Sequence, residues 1–282
     1  MKISNPFFLK GYTSITQMND LPWNDPKNPK MDFGILKLDA NESQIFETPF
    51  EKAFLLMEGQ VQFRWQLKPD KYQESNARRT SCFEENPWCF HVPKFIKVQL
   101  TAGLSGATIS FIQTKNDANF PLKVYTPQEC RSENRGAGTM RETSTRIVRT
   151  IFDQSNAPHS NLVLGEVITF PGKWSSYPPH HHPQPEIYHY RFFPDHGFGF
   201  GMLGDEVLKI RNGDTVLILN DISHPQVAAP GYAMYYLWVI RHLESQRYIS
   251  PVYESEHLWV MDPKKQKEIW PPENDSCKPC CV

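Results

Sequence analysis

Long apolar runs, excess charge of one sign and long helical patterns are all missing from this 282-residue sequence. Without a run of about eighteen apolar residues, a transmembrane helix is not expected. The net charge of −1 gives no electrostatic reason to expect a nucleic acid or a membrane surface as a partner. Residues 1–14 contain neither a sustained apolar core nor a small-residue cleavage site, so a signal peptide is not expected. The sequence predicts a cytoplasmic protein.

Cysteine is also sparse, with six in the chain, and an intracellular protein of this size needs no disulfide framework. Cys277 and Cys280 have the C-x-x-C spacing of a redox pair or of half a metal site. The sequence has no second pair to complete a zinc site, and the surrounding tail is polar and rich in proline. We interpret these cysteines as solvated thiols.

Aromatic residues, at 13%, and 24 prolines are abundant instead, a mixture typical of short strands joined by proline-marked turns. FLLMEGQVQFRWQL, from Phe54, predicts a hairpin with a turn at Glu58–Gly59. Residues 66–89 are polar and predict a long excursion, after which FIKVQL and ATISFIQ predict further strands. The later strand candidates are TRIVRTIF, NLVLGEVITF, EIYHYRFF, EVLKIRNGDTVLIL and AMYYLWVI.

The apolar alternation stops over residues 126–145 and then restarts, which indicates two strand-rich halves. We expect an irregular arm over residues 1–32, a first β-barrel over 33–140, a second over 141–270 and a tail over 271–282. This pattern predicts an all-β fold with two antiparallel barrels that arose by internal duplication. His91, the single histidine of the first barrel, is interpreted as structural.

The segment GKWSSYPPHHHPQPEIYHYRFF, residues 172–193, contains the clearest chemical signal. His180 and His182 lie two residues apart, so on an extended chain they point to one face while His181 points away. Glu186 follows four residues later. Two imidazoles and a carboxylate that converge suit a divalent transition metal, although a histidine-rich loop between prolines is the alternative interpretation.

A fourth ligand is suggested by similarity to the two-part cupin pattern. The spacing from Gly172 through the histidines to the glutamate matches its first part, and the spacing from Gly213 to His224 matches its second. Leu219, Asp221 and Ala228 stand where that pattern usually has Pro, Gly and Asn. The similarity makes His224 the expected fourth ligand.

Longer segments resemble the 5-deoxy-glucuronate isomerase family, which are bicupin enzymes of inositol catabolism related to a uronate ketol-isomerase. These segments are GEVITFPGKWSSYPPHHH, EIYHYRF, FGFG, NGDTVLIL and SHPQVAAPGYAMYYLWVI, with FHVPKFIKVQL and ENRGAGTMRETSTRIV upstream. The resemblance implies that His180, His182, Glu186 and His224 bind one divalent metal ion in the second barrel. Zinc or manganese is expected, with iron or nickel as alternatives. The implied reaction is the aldose–ketose isomerisation of a small uronate-like sugar acid, expected to be 5-deoxy-glucuronate.

Three departures from that family lie beside the ligands. Pro183–Pro185 replaces a longer acidic segment, His181 stands where a lysine is usual, and the loop after Gly201 is shorter. None of them removes a ligand, so they bear on the identity of the sugar acid more than on the metal.

Strand parity suggests further site residues. If EIYHYR is one strand, Glu186 and Tyr188 face the interior while His189 and Arg191 face outward. Tyr188 is therefore the candidate catalytic residue nearest the metal, with barrel packing as the alternative. Arg191 and Arg211 are candidates to bind a carboxylate, unless they are merely solvated. The sequence does not identify a general base.

Two other functions compete with the isomerase. One is a cupin that binds metal and sugar without turnover, and the other is a metal-dependent oxygenase. The complete ligand set favours an enzyme, and the family segments favour the isomerase. A homo-oligomer is also expected, because AMYYLWVI from Ala233 has more aromatic surface than one barrel interior accommodates.

Overall fold

The structure is a computed structural model that describes residues 1–4, 10–68 and 71–270. Strands dominate these residues, and the helices among them are 3₁₀ turns at Met140–Glu142, Ser255–Met261 and Gln266–Glu268. None of the helices in these ranges has the length and apolar character needed to cross a membrane. The prediction of an all-β chain is confirmed. The tail over 271–282, with its C-x-x-C pair, lies outside the described residues.

The first half of the chain forms one antiparallel sheet in the order β2-β3-β8-β5-β7-β9, with β4 paired to β8 and β6 paired to β5. Its strands are β2 (Gly11–Thr16), β3 (Asp32–Leu38), β4 (Ser43–Phe46), β5 (Glu51–Lys68), β6 (Lys71–Arg79), β7 (Trp88–Val92), β8 (Val98–Thr114) and β9 (Lys123–Tyr125).

The predicted turn at Glu58–Gly59 is wrong, because β5 continues through it as one long strand. Gly59 has a φ of +101°, and the pairing with β8 shifts register on both sides of it. A Cβ at this position would lie 2.2 Å from the carbonyl oxygen of Gly106. The glycine therefore marks a bend where two strand backbones touch. The predicted excursion over residues 66–89 is also corrected, since β6 returns along β5.

The second half forms a seven-stranded sheet, ordered β1-β18-β15-β20-β12-β11-β10, which faces a four-stranded sheet, ordered β13-β19-β16-β17. Apolar side chains such as Val148, Tyr190 and Met234 fill the space between these sheets. The strands are β1 (Lys2–Ile3), β10 (Arg131–Arg135), β11 (Arg146–Phe152), β12 (Leu162–Thr169), β13 (Trp174–Ser175), β14 (His180–His181), β15 (Glu186–Phe193), β16 (Phe198–Leu203), β17 (Glu206–Arg211), β18 (Thr215–Ile218), β19 (Gln226–Ala228), β20 (Ala233–Arg241) and β21 (Val252–Tyr253).

The expected irregular arm, residues 1–32, is corrected by the strands that it contributes. β1 pairs with β18 of the second half, and β2 pairs with β3 of the first. The side-chain amide of Asn28 is buried and donates to the carbonyl oxygen of Met18 at 2.9 Å. Short, polar edge strands give little apolar alternation, which explains why the sequence did not reveal them. β10 precedes the expected boundary at residue 140 but pairs with β11 of the second half.

The two halves share a buried apolar cluster, here called the interface core. It combines Phe33, Leu55 and Ile112 of the first half with Ile187, Leu237 and other residues of the second. The side chains of β20 alternate between two cores: Tyr236 lies in the space between the two sheets of the second half, and Tyr235 lies in the interface core. The aromatic surface of AMYYLWVI is thus covered within the chain. The reason given for a homo-oligomer therefore no longer holds.

A buried ionic cluster also joins the halves. The carboxylate of Glu166 accepts hydrogen bonds from Arg79 at 2.7 and 2.8 Å and from the Tyr235 hydroxyl at 2.6 Å. Arg149 lies 3.5 Å from the same carboxylate and donates to the Cys82 carbonyl at 2.7 Å. Because Arg79 and Glu166 are completely buried, each depends on the other for charge compensation.

His91 lies at this interface as well. Its Nε2 is 2.7 Å from the buried Glu51 carboxylate, and its ring stacks on Phe152 with centroids 4.4 Å apart. These contacts connect β7 to the second half and agree with a structural role.

Candidate metal centre

Three of the four expected ligands converge at the start of β15. The ligand atoms of His182, Glu186 and His224 all lie within 4.8 Å of one another, and the three side chains are buried. The His182 and His224 Nε2 atoms lie 3.2 and 3.3 Å from the same carboxylate oxygen, Glu186 Oε2. Glu186 opens β15, while His224 precedes β19 in the facing sheet. The site therefore spans the two sheets of the second half.

Backbone carbonyl groups fix the tautomer of each histidine. The Nδ1 atoms of His180, His182 and His224 lie 3.1, 3.1 and 2.9 Å from the carbonyl oxygens of Pro178, Gln184 and Ile222. Each carbonyl is two residues away in sequence and can only accept, so Nδ1 holds the proton. Nε2 is then left as a lone-pair donor, which is how metal-binding histidines are oriented in proteins.

His180 lines the same pocket, but its nitrogen is not part of the three-residue group. Its ring meets the His224 ring edge to face, with centroids 4.9 Å apart. Burial lowers the pKa of His180 to about 3, and His224 adds to the effect. His181 points away, as strand parity predicted, and its Nδ1 lies 2.7 Å from Asp221.

Tyr188 lies directly behind the ligands. Its ring centroid is 5.8 Å from that of His224, and its hydroxyl lies 3.1 Å from Ser176 Oγ. Ser176 Oγ is also 3.3 Å from the Tyr236 hydroxyl, so the three hydroxyl groups form a chain. Burial, together with the charge of Glu186, raises the pKa of Tyr188 well above its ordinary value. At neutral pH this hydroxyl is a proton donor.

His189 and Arg191, predicted to face outward on β15, differ in their surroundings. His189 is fully buried, and its ring lies 5.6 Å from that of Phe33 in the first half. The outward face of β15 is therefore an interface between the halves rather than a solvated surface. Arg191 pairs with Glu58 of the first half at 3.3 Å, away from the pocket.

Two arginines that sequence reasoning missed line the pocket. Arg146 begins β11 and is 6% exposed, and Arg135 lies directly opposite it on β10. Burial, with an added effect of Arg135, lowers the pKa of Arg146. The candidates Arg191 and Arg211 are not among the residues that line this pocket. Sequence alternation in TRIV places Arg146 on the same face as Val148, but it does not reveal which face meets the ligands.

A segment after β20, residues 244–254, borders the pocket at Tyr248 and is here called the strap. Tyr253 pairs with His180 through β21 and β14, and the Tyr248 ring contacts His182 with centroids 4.9 Å apart. The Gln184 amide donates to the Gln246 carbonyl at 2.9 Å. The short Pro183–Pro185 loop is thus tied to the strap by a hydrogen bond.

Antiparallel sheets around a buried histidine–carboxylate cluster define a cupin-like protein with a candidate metal centre. The fold superimposes on the oxalate decarboxylase of Lactobacillus farciminis with a TM-score of 0.64 at 9% identity, covering 92% of this chain and 88% of that one. An IolB-like protein from Salmonella typhimurium LT2 gives a TM-score of 0.78 at 24% identity, covering 92% and 98%.

The chain belongs to the KduI/IolB family, whose model matches residues 12–260. It is 29% identical to the 5-deoxy-glucuronate isomerase of Geobacillus kaustophilus over 237 residues, which are 77% of this chain and 82% of that protein. The enzyme of the same name from Geobacillus thermodenitrificans is 31% identical over 214 residues, covering 69% and 74%.

Proposed function

We propose that this protein is a metal-dependent aldose–ketose isomerase that acts on a uronate-like sugar acid, with 5-deoxy-glucuronate as the expected substrate. Family membership and the names of the relatives support the reaction class. We further propose that the two halves are cupin barrels related by internal duplication, divided near residue 140. The metal centre is proposed to lie in the second barrel alone.

The observation that supports the metal centre most directly is an unsatisfied nitrogen. Within the described residues, the buried Nε2 of His224 has no hydrogen-bond partner, although Glu186 Oε2 lies 3.3 Å away. A buried polar atom left in this way costs about 1–3 kcal/mol. A divalent cation among His182, Glu186 and His224 would use this lone pair, and the donor set suits zinc or manganese. His180 is the proposed fourth ligand, because its Nε2 is prepared by the same kind of Nδ1 bond.

The reaction moves a hydrogen from the hydroxyl-bearing carbon next to the carbonyl group to the carbonyl carbon, while the proton of that hydroxyl group passes to the former carbonyl oxygen. A bound divalent ion supplies Lewis-acid stabilisation of the charge that develops on the substrate oxygens, worth several kcal/mol. Tyr188 is proposed to donate a hydrogen bond or proton to a substrate oxygen, since burial keeps its hydroxyl protonated. Ser176 and Tyr236 would orient that hydroxyl. The strap would limit access of water to the reacting carbons.

The identity of the sugar acid depends on the pocket wall. His181 faces Asp221 and therefore lies away from the pocket, so this departure from the relatives has little influence on substrate choice. The Pro183–Pro185 loop has more influence, because Gln184 ties it to the strap. A differently substituted sugar acid thus remains the second candidate substrate for the same reaction.

The test combines elemental analysis with an isomerase assay. Purified protein should contain about one equivalent of divalent metal, and it should isomerise 5-deoxy-glucuronate, followed by NMR in deuterated water. His182→Ala and His224→Ala should each lose most of the metal, whereas His181→Ala should retain it. Full occupancy in both ligand variants would overturn the metal assignment. Metal binding without turnover or α-hydrogen exchange of any uronate would favour the non-catalytic binding protein.

Tyr188→Phe tests the role of the hydroxyl. We expect a fall in kcat of roughly 10²-fold or more, as for loss of a positioned acid, with metal content unchanged. Tyr190→Phe is the matched control, because its hydroxyl donates to Gln226 at 2.6 Å instead of to the Ser176 chain. Equal activity of Tyr188→Phe and the parent would assign Tyr188 to packing alone.

A further inference from the structure

Two arginines face each other across neighbouring strands at the edge of the pocket. Arg135 of β10 and Arg146 of β11 are direct partners in the antiparallel register, so their side chains project from the same face of the sheet. Like charges in this position destabilise a sheet. A negatively charged ligand group bound between the two guanidinium groups would relieve this repulsion.

Among the residues that the structure describes, no carboxylate compensates the charge of Arg146. Its guanidinium donates to the Ser144 carbonyl at 2.7 Å, to Ser144 Oγ at 2.8 Å and to the Tyr177 carbonyl at 3.3 Å. These acceptors are neutral, and no carboxylate in the described ranges forms an ion pair with Arg146. They hold the side chain in place while engaging three of the five N–H donors of an arginine.

The other charges of the pocket do not provide the missing anion. Among the described residues that line it, Glu186 is the one carboxylate, and it lies between His182 and His224. Arg135 has an ion pair with Glu133, but both side chains are more than half exposed. Such a surface pair contributes little and can be exchanged.

We infer that Arg146, with Arg135 at the rim, forms the subsite that binds the carboxylate of the substrate. This inference rests on the proposed function in one respect, since it takes the pocket of the metal centre to be the substrate site. A planar guanidinium suits a carboxylate because it can offer two parallel N–H groups. The subsite therefore favours a sugar acid over the corresponding neutral sugar, and Arg146 is a binding and specificity residue.

The experiment compares two ligands that differ in one charge. Metal-loaded protein is titrated calorimetrically with D-glucuronate and with its uncharged amide, D-glucuronamide. We expect the parent to bind glucuronate more tightly, and Arg146→Met to weaken glucuronate binding about 10- to 100-fold, the range for loss of a charged hydrogen bond. Arg146→Met should also remove the preference over the amide. In the isomerase assay the change should appear in KM, with kcat changed much less.

Matched variants separate loss of the carboxylate subsite from loss of charge elsewhere and from loss of folding or metal binding. Arg211→Met removes the same charge from an exposed position on β17 and should bind both ligands as the parent does. Arg135→Met should weaken glucuronate binding by only a few-fold, because that arginine is exposed. If Arg146→Met fails to fold or to hold metal, Arg146→Lys keeps the charge and should retain part of the preference for glucuronate.

The outcomes distinguish a failure of the carboxylate subsite from a failure of the proposed isomerase activity. A parent protein that binds glucuronate no better than glucuronamide would overturn the subsite. So would an active Arg146→Met enzyme with unchanged KM and an unchanged preference. Conversely, an Arg146-dependent preference for glucuronate in a protein that isomerises no uronate would support the subsite while refuting the proposed reaction.

Discussion

Replacing Glu166 by glutamine should destabilise the whole protein, because this carboxylate compensates two buried arginines at once. Arg79 donates to it at 2.7 and 2.8 Å, and Arg149 lies 3.5 Å away. Glutamine keeps one oxygen acceptor but removes the charge. Breaking one side of a buried ion pair costs about 3–5 kcal/mol, against a total stability of about 5–15 kcal/mol for typical domains. The variant should therefore lose at least about a fifth of its free energy of unfolding.

Equilibrium urea denaturation of metal-loaded protein measures this loss. The midpoint should fall while the slope of the transition stays constant, since the surface exposed on unfolding is unchanged. Glu84→Gln is the matched control, because Glu84 is exposed and its replacement should change stability by no more than about 0.5 kcal/mol. A loss below about 1 kcal/mol in Glu166→Gln would refute the reasoning, since it would mean that the arginines obtain compensation elsewhere.

Three further predictions concern pH, a bend and the interface core. Burial lowers the pKa of His189 to about 3 and the pKa of His242 to about 4. Because an unfolded histidine binds a proton below about pH 6.5, the free energy of unfolding should fall by about 2 kcal/mol per histidine between pH 6.5 and 4.5. Equal urea midpoints at the two pH values would contradict this. Gly59→Ala should lower the free energy of unfolding by about 1–3 kcal/mol, measured by thermal unfolding. Gly11→Ala should cost less, because Gly11 has a similar positive φ but open space around it. Equal costs for the two variants would contradict the close contact at Gly59. Phe33→Ala should cost about 3–5 kcal/mol and lower one shared transition, and two separated transitions in calorimetry would show that the halves unfold independently.

The local part of the candidate metal centre was predictable because its residues lie close together in sequence. His182 and Glu186 fall within one short segment, and His181 points away as alternation requires. His180, expected as a further ligand, lines the same pocket but lies outside the three-residue group. Tyr188 follows from the same parity. The contact of His224 with this segment is a long-range one, and only similarity to the cupin spacing indicated it.

Other features could not be read from local patterns. Gly59 gives the same sequence signal in a bent strand as in a hairpin turn, and only the approach of Gly106 decides between them. Arg146 was missed because its register opposite Arg135, and hence its position at the pocket, depends on strand pairing. Tyr248 of the strap reaches His182 from sixty-six residues away in numbering, through a segment without regular alternation.

Strand β15 has a consequence for ligand binding that concerns the first half of the chain. One face of β15 presents Glu186 and Tyr188 to the pocket, while the other presents Ile187 to the interface core and His189 to Phe33. A ligand that binds only the native state stabilises it by mass action, by about 2.7 kcal/mol at a hundred times its dissociation constant. Because both faces belong to one strand, that stabilisation extends to the first half, although none of the proposed ligands comes from it. An amide-exchange or fluorescence probe placed in the first half would therefore report the filling of a site that it never touches.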